Sequence, residues 1–281
     1  MNIGSWWSRA LARIYEYIQQ HGTITIQQCQ FISAAAWTEL DMNKFEGTKQ
    51  HKDFGAQFGA ITMMDSFYEA HIQHDMRKYK IVSAESGFGL KGEILVGEND
   101  RVVVHWVGKP DLTVLDGHRL CPLDHKTVNR IDGDTNSKYK PHPQIAGYIF
   151  AAGLLAKQVG LDVSVDRAII NVCARKAPTE KPRDGIKRPR YLRVVVAYNE
   201  LEIQEWQLQT LNKVTALRRA IEANSYLWNE TRCHDIFWKP CQYRGICSNP
   251  PGTRPVVIQS NYDLAERWIP YSVQEEEAVD E

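Results

Sequence analysis

Two carboxylates and a lysine recur at the ends of neighbouring apolar stretches: Asp111 in Gly108-Lys109-Pro110-Asp111, then Asp124 and Lys126 in Leu123-Asp124-His125-Lys126-Thr127. Carboxylate oxygens suit hard divalent cations, and Mg²⁺ or Mn²⁺ held this way neutralises phosphate charge and activates water. A lysine beside them can position or deprotonate that water and stabilise developing charge. The combination suits hydrolysis of a phosphodiester, and the metal makes a separate histidine base unnecessary. Further along, Gln144 and Tyr148 lie four residues apart, an interval that puts two side chains on one helix face.

The flanking pattern indicates the elements that must position these groups. Val102 to Val107 is β-branched and aromatic, and Leu112 to Leu115 reads as its continuation past Asp111. Asp116-Gly117 signals a tight hairpin, with Arg119 to Leu123 opening the returning strand. Such a hairpin draws the segments holding Asp111 and Asp124 alongside each other. Residues two apart on a strand share a face, so Asp124 and Lys126 point the same way. Pro143 suits a first helical turn, and the apolar run Ile145 to Leu155 follows it. Ala168 to Cys173 and Tyr191 to Tyr198 read as two more strands. Asn199 and Glu202 read as the capping pair of a long helix. At the other end of the chain, Trp6, Trp7, Leu11, Ile14, Tyr15 and Ile18 recur at helical spacing. They predict an amphipathic helix packed against the main domain.

The ordered set Gly108-x-x-Asp111, Asp124-x-Lys126-Thr127 and Gln144-x-x-x-Tyr148 resembles the PD-(D/E)XK nucleases of the RecB type. That group includes phage-encoded members and the CRISPR-adaptation nuclease family. The resemblance implies an α/β, restriction-endonuclease-like core with a mixed central sheet flanked by helices. The chain then divides into an N-terminal helical segment (1–53), a nuclease domain (54–250) and a C-terminal extension (251–281) with an acidic tail. The resemblance implies Asp111 and Asp124 as ligands of Mg²⁺ or Mn²⁺, and Lys126 as the group that orients the attacking water. Gln144 and Tyr148 would hold the active-site edge or the substrate phosphate. It also implies an acidic residue on a strand before the Gly-x-x-Asp element. Glu85 in Ala84-Glu85-Ser86-Gly87-Phe88 fits that place best as a third metal ligand, with Glu93 and Glu98 competing. One position departs. Where the family often carries a histidine, the Gly55 element has Gly59. This weakens one metal site, shifts the chemistry toward one metal, or leaves His71, His74 or Asp65 to substitute.

Cys233, Cys241 and Cys247 cluster late in the chain, and in a cytosolic protein such clustering reads as metal binding before it reads as a disulfide framework. Several RecB-type relatives hold an iron–sulfur cluster with one early and three late cysteines. Cys241 and Cys247 match the last pair and Cys29 the early ligand. Trp238 occupies the remaining ligand's usual place, which leaves Cys233 as its candidate. Spacing alone leaves zinc or no metal open. Cys121 and Cys173 sit in strand-like runs and read as buried thiols. Between the two later strands, Arg175 to Arg190 carries seven Lys and Arg against two acids. It reads as a hairpin loop, with Lys187, Arg188 and Arg190 as candidate DNA-phosphate contacts.

Overall the chain is balanced, with 34 Lys and Arg against 34 Asp and Glu in 281 residues, so net charge does not advertise nucleic acid. A hydrophobic content of 43% is ordinary for a globular enzyme of this length. No apolar stretch reaches the roughly 18 residues of a membrane span, and no signal-peptide pattern opens the chain, so the location expected is cytoplasmic. No Gly-x4-Gly-Lys-Ser/Thr loop is present, so a helicase or recombinase motor would be a separate partner. The expected function is a metal-dependent deoxyribonuclease. Exonuclease action is favoured, in recombination, repair or replication of a phage or bacterium. A DNA-binding scaffold without turnover is the alternative, and Gly59 is the feature that favours it.

Overall fold

Strands β1 (Lys80–Ala84), β4 (Leu112–Asp116), β5 (Arg119–Val128), β6 (Arg167–Ala174) and β7 (Tyr191–Ala197) lie side by side in that order as one five-stranded sheet. The computed structural model describes residues 3–39, 62–95, 101–175, 190–223, 241 and 243–263. They belong to two units: residues 1–92 with 105–206, which hold the sheet, and residues 93–104 with 207–281.

β5 and β6 are parallel and the other neighbours antiparallel, so the sheet is mixed, as expected. The hairpin forms where the sequence predicts it, with Asp116 opposite Arg119 and Gly117 at φ 61°. Glycine reaches that left-handed conformation without a Cβ clash.

Helices α1 (Ile3–His21) and α2 (Ile26–Glu39) are followed by helical residues 62–67, a π-turn (Tyr68–Ile72) and α3 (Gln73–Lys78). A parallel strand pair needs a crossover, and α4 (Pro143–Gln158) supplies it between β5 and β6, with Pro143 in its first turn. Alternation along the strands then sorts the core into two faces. Leu112, Val114, Cys121, Leu123, Ile169 and Cys173 pack with Trp6, Trp7, Leu11, Ile14 and Tyr15 of α1. On the other face, Ala168, Ile170, Val172 and Val196 pack with Ile145, Ala146 and Ile149 of α4. The N-terminal helix therefore packs on the sheet, as its apolar spacing predicts.

One sequence expectation fails. Val102 to Val107 and Leu112 to Leu115 do not form one strand. β3 (Arg101–Gly108) pairs with β2 (Phe88–Leu95) in a separate two-stranded sheet, and β4 begins afresh beyond Pro110. Proline has no N–H to give a ladder and its φ is fixed, so the chain changes sheets there.

In the second unit, Arg101 pairs with Glu93 at 2.9 Å. Helix α5 (Glu200–Glu222) starts in the first unit and continues into the second. Its start is capped as predicted: the Asn199 N–H donates to Glu202 at 2.8 Å and the Glu202 N–H donates to Asn199 at 2.9 Å. Short helices α6 (Arg244–Cys247) and α7 (Arg254–Asn261) follow, with Tyr243 stacked on Tyr262. Among the described residues, no helix is long and apolar enough to cross a membrane.

His71, in the π-turn, is wedged between Phe67 and Tyr191, with ring centroids at 5.0 and 6.0 Å, and its Nε2 has no hydrogen-bond partner among the described residues. Burial first, and then the Arg193 cation, hold its pKa down to about 4 from 6.5. The unfolded chain therefore takes a proton that the fold refuses. Stability from this source is intact above about 6.5 and is lost as pH falls toward 4. The expected loss is about 2–3 kcal/mol. His71→Leu should remove that share, seen as a smaller difference between urea unfolding at about pH 7 and about pH 4.5. Equal acid losses in the two proteins would rule His71 out as its source.

Candidate active site

The β4–β5 register places Leu112 opposite Leu123, so Asp111 and Asp124 meet at the end of that ladder. The His125 backbone N–H donates to Asp111 Oδ2 at 2.6 Å. Asp124 is buried, and Lys126 Nζ lies 2.7 Å from its Oδ2 in a charge-assisted contact. Lys126 also donates to Gln144 Oε1 at 3.2 Å. Gln144 Nε2 donates to the Tyr148 hydroxyl at 2.8 Å and approaches Asp124 Oδ1 at 3.5 Å. The Tyr148 hydroxyl in turn donates to the Lys109 carbonyl at 2.8 Å. Glu85 stands beside the pair: its N–H donates to the Asp111 carbonyl at 2.9 Å and its carboxylate pairs with Lys109. Asp111, Asp124, Lys126, Glu85, Gln144 and Tyr148 are thus brought together.

Glu85 is not on a strand, as the resemblance implied. It follows β1 at φ 51°, in the left-handed region, a strained state for a residue with a Cβ and one found at functional sites. The glycine of Gly108-x-x-Asp111 has a steric reason. A Cβ there would sit 2.5 Å from Phe88 Cζ and 3.1 Å from Tyr148 Cε1, so only a bare backbone lets both rings close on the site. Gly147 does the same for Trp106, whose Cζ2 a Cβ would meet at 2.5 Å.

The electrostatics are those of crowded negative charge. Burial first, and then Asp124, push the Asp111 carboxyl up to about 7, against the pull of the His125 N–H. Burial also raises Asp124, against Lys126. One ammonium does not compensate the buried carboxylates. Among the described residues, no three His, Cys, Asp or Glu side chains form a ready metal cage. Mg²⁺, however, is commonly held by one or two carboxylates and completes its shell with water and phosphate. Two buried, mutually repelling carboxylates with a single ammonium between them fit that requirement.

Other sequence candidates fall elsewhere. His71 packs in the helical layer behind the sheet, His74 lies edge-on to Tyr79, and Asp65 accepts a hydrogen bond from Gln30 at 2.8 Å. None joins the carboxylates; Gly59 lies outside the described residues. Glu93 is taken by Arg101, and Glu98 lies outside the described residues. Cys29 is fully buried in the α1–α2 core, where desolvation pushes its thiol up to about 12, the reverse of what a thiolate ligand needs. Cys241 and Cys247 are half-buried in the second unit, and Cys233 lies outside the described residues. Lys187 and Arg188 also lie outside them, and the Arg190 guanidinium sits over the Tyr191 ring with its Nε buried. Cys121 and Cys173 are buried, as read.

Sequence reasoning missed His142. It is the N-cap residue of α4, and its imidazole feels both Lys126 and Asp124. Burial first, and then Lys126, lower its pKa, and its Nδ1 is buried with no hydrogen-bond partner among the described residues. Its place directly before Pro143-Gln144 was the available signal.

A mixed sheet with paired carboxylates and a lysine on adjacent strands, faced by Gln and Tyr from the crossover helix, is the restriction-endonuclease-like fold. A profile of the PD-(D/E)XK nuclease superfamily matches residues 2–248, and the chain belongs to that superfamily. Its members generally use divalent metals such as Mg²⁺. No curated protein matches the chain.

Proposed function

We propose that the protein is a divalent-metal-dependent deoxyribonuclease that acts from DNA ends in recombination, repair or replication. The observation that carries this reading is the single connected array of Asp111, Asp124, Lys126, Gln144 and Tyr148. Asp111 and Asp124 would hold Mg²⁺ or Mn²⁺, with Glu85 as a third carboxylate. The bound cation supplies charge neutralisation of the scissile phosphate and acidifies water. Lys126, fixed between Asp124 and Gln144, orients the attacking water and meets the negative charge that grows on the phosphate. Gln144 keeps the lysine and Tyr148 in place from the first turn of α4. Tyr148 ties that helix to the Lys109 peptide and so to the segment leading into Asp111. Lys187 and Arg188, next to Arg190, supply sequence-independent contacts to the DNA backbone. Any unwinding motor comes from a partner chain.

The test uses end-labelled single- and double-stranded DNA and closed circular DNA, with Mg²⁺, with Mn²⁺ or with EDTA. Linear substrates are expected to shorten to 5′-phosphorylated products only when metal is present, and circles to persist. Cutting of circles would replace end-directed by internal cleavage. Binding without hydrolysis under every metal condition would make the chain a nuclease-fold scaffold instead.

A further inference from the structure

On the sheet face opposite Asp124 and Lys126, five buried or largely buried side chains from five elements close into a ring. Tyr15 of α1 donates to Asp75 Oδ2 of α3 at 2.6 Å. Arg193 of β7 grips the same carboxylate with both terminal nitrogens, at 2.6 and 2.9 Å. Its Nε donates to Asn171 Oδ1 of β6 at 2.7 Å. Asn171 Nδ2 lies 3.4 Å from His125 Nδ1 of β5. The His125 ring stacks on Tyr15, centroids 5.8 Å apart at 21°, and closes the circuit.

His125 is the residue between Asp124 and Lys126. Its side chain points backward into the ring while its neighbours point forward into the site, as strand alternation requires. Its N–H is the donor that holds Asp111 Oδ2. One peptide therefore carries the backbone of Asp124, Lys126 and the clamp on Asp111, and the ring grips the side chain of that peptide from behind. Fold stability alone does not call for such a device, since a buried ion pair adds little over well-packed apolar residues.

We propose that the Tyr15–Asp75–Arg193–Asn171–His125 ring sets the tilt of the 124–126 segment, and that Asn171 and Arg193 are positioning residues for the metal-binding carboxylates. This rests on the metal-dependent nuclease reading above. Asn171→Leu cuts the link between Arg193 and His125 while leaving the Asp75–Arg193 pair whole. His125→Phe keeps the stack on Tyr15 and removes the same link; it carries the comparison alone if Asn171→Leu does not fold.

Three quantities are read on the full-length protein: Mn²⁺ affinity by electron paramagnetic resonance without DNA, hydrogen exchange of the residue 125 amide, and DNA cleavage. In folded variants, Mn²⁺ affinity is expected to fall about tenfold, the residue 125 amide to exchange about tenfold faster, and kcat to fall about 10–100-fold with KM for DNA unchanged. Wild-type Mn²⁺ affinity and cleavage in a folded variant would overturn the proposal. So would a loss of activity that only follows the folded fraction while the folded molecules bind Mn²⁺ normally. Asp124→Ala serves as the control. If it binds Mn²⁺ as the wild type does, the metal site itself is misplaced; if it loses Mn²⁺ while both ring variants keep it, the ring proposal alone is overturned.

Discussion

Asp111→Asn and Asp124→Ala are each expected to lose about three orders of magnitude or more in DNA hydrolysis, yet to change stability in opposite directions. The activity loss follows from removing a carboxylate that would hold the cation, worth about 4 kcal/mol of barrier at that fold-change. The stability effects follow from the local charges and from what each substitution leaves in place. Asp111 is buried beside Asp124 and its carboxyl is pushed up to about 7 from 3.8. A raised folded-state pKa means that the fold favours the protonated acid. Its contribution is full below 3.8 and is lost as pH rises through about 7. At about pH 8 the metal-free protein therefore carries a charge it disfavours. Asn keeps an oxygen for the His125 N–H and drops that charge, a gain on the order of 1–3 kcal/mol at pH 8 and less at pH 5. Asp124→Ala also relieves charge, since burial raises that carboxyl too, but it empties a buried position and breaks the pair with Lys126, losses expected to outweigh the relief and destabilise. Mg²⁺ should raise the unfolding temperature of the wild type by mass action and do little for either variant. A lower unfolding temperature for metal-free Asp111→Asn at pH 8 would mean that the two carboxylates do not repel as described.

Lys126→Met is expected to separate chemistry from metal binding. Lys126 Nζ sits 2.7 Å from Asp124 and 3.2 Å from Gln144, and a cationic ammonium cannot itself ligate a metal. Its removal should lower kcat by about 10²–10³-fold, the scale seen when one preorganised donor to developing charge is deleted. Mn²⁺ binding should hold or tighten, because a competing cation has left Asp124. Lys126→Arg should recover little, since a planar guanidinium cannot replace a compact ammonium between two fixed partners. Loss of Mn²⁺ in Lys126→Met as severe as in Asp124→Ala would assign the lysine to building the metal site instead.

Much of this site was legible because its spacing is local. The hairpin at Asp116-Gly117, the two-residue step from Asp124 to Lys126 and the four-residue step from Gln144 to Tyr148 are each set by one turn or one repeat. What escaped was set by contacts distant in sequence. The break at Pro110 puts β3 in a sheet of its own, which strand periodicity on either side does not reveal. Glu85 falls in a left-handed bend because the chain must leave β1 and pass its N–H to Asp111. Asp75 and Arg193 are 118 residues apart, and as isolated charges they read as surface residues. The buried state of Cys29 depends on how α1 and α2 pack together, which thiol spacing does not encode.

Strand β5 has both sides committed. Asp124 and Lys126 face Gln144 of the crossover helix, while Cys121, Leu123 and His125 face the helical core. Inserting or deleting a single residue between Arg119 and Asp124 would act like a frameshift in three dimensions, turning His125 toward Gln144 and driving Asp124 and Lys126 into an aromatic interior. This stretch can therefore drift in composition but not in length. Recombining it with another strand in protein engineering requires keeping the residue count from the Gly117 turn, whatever identity is kept.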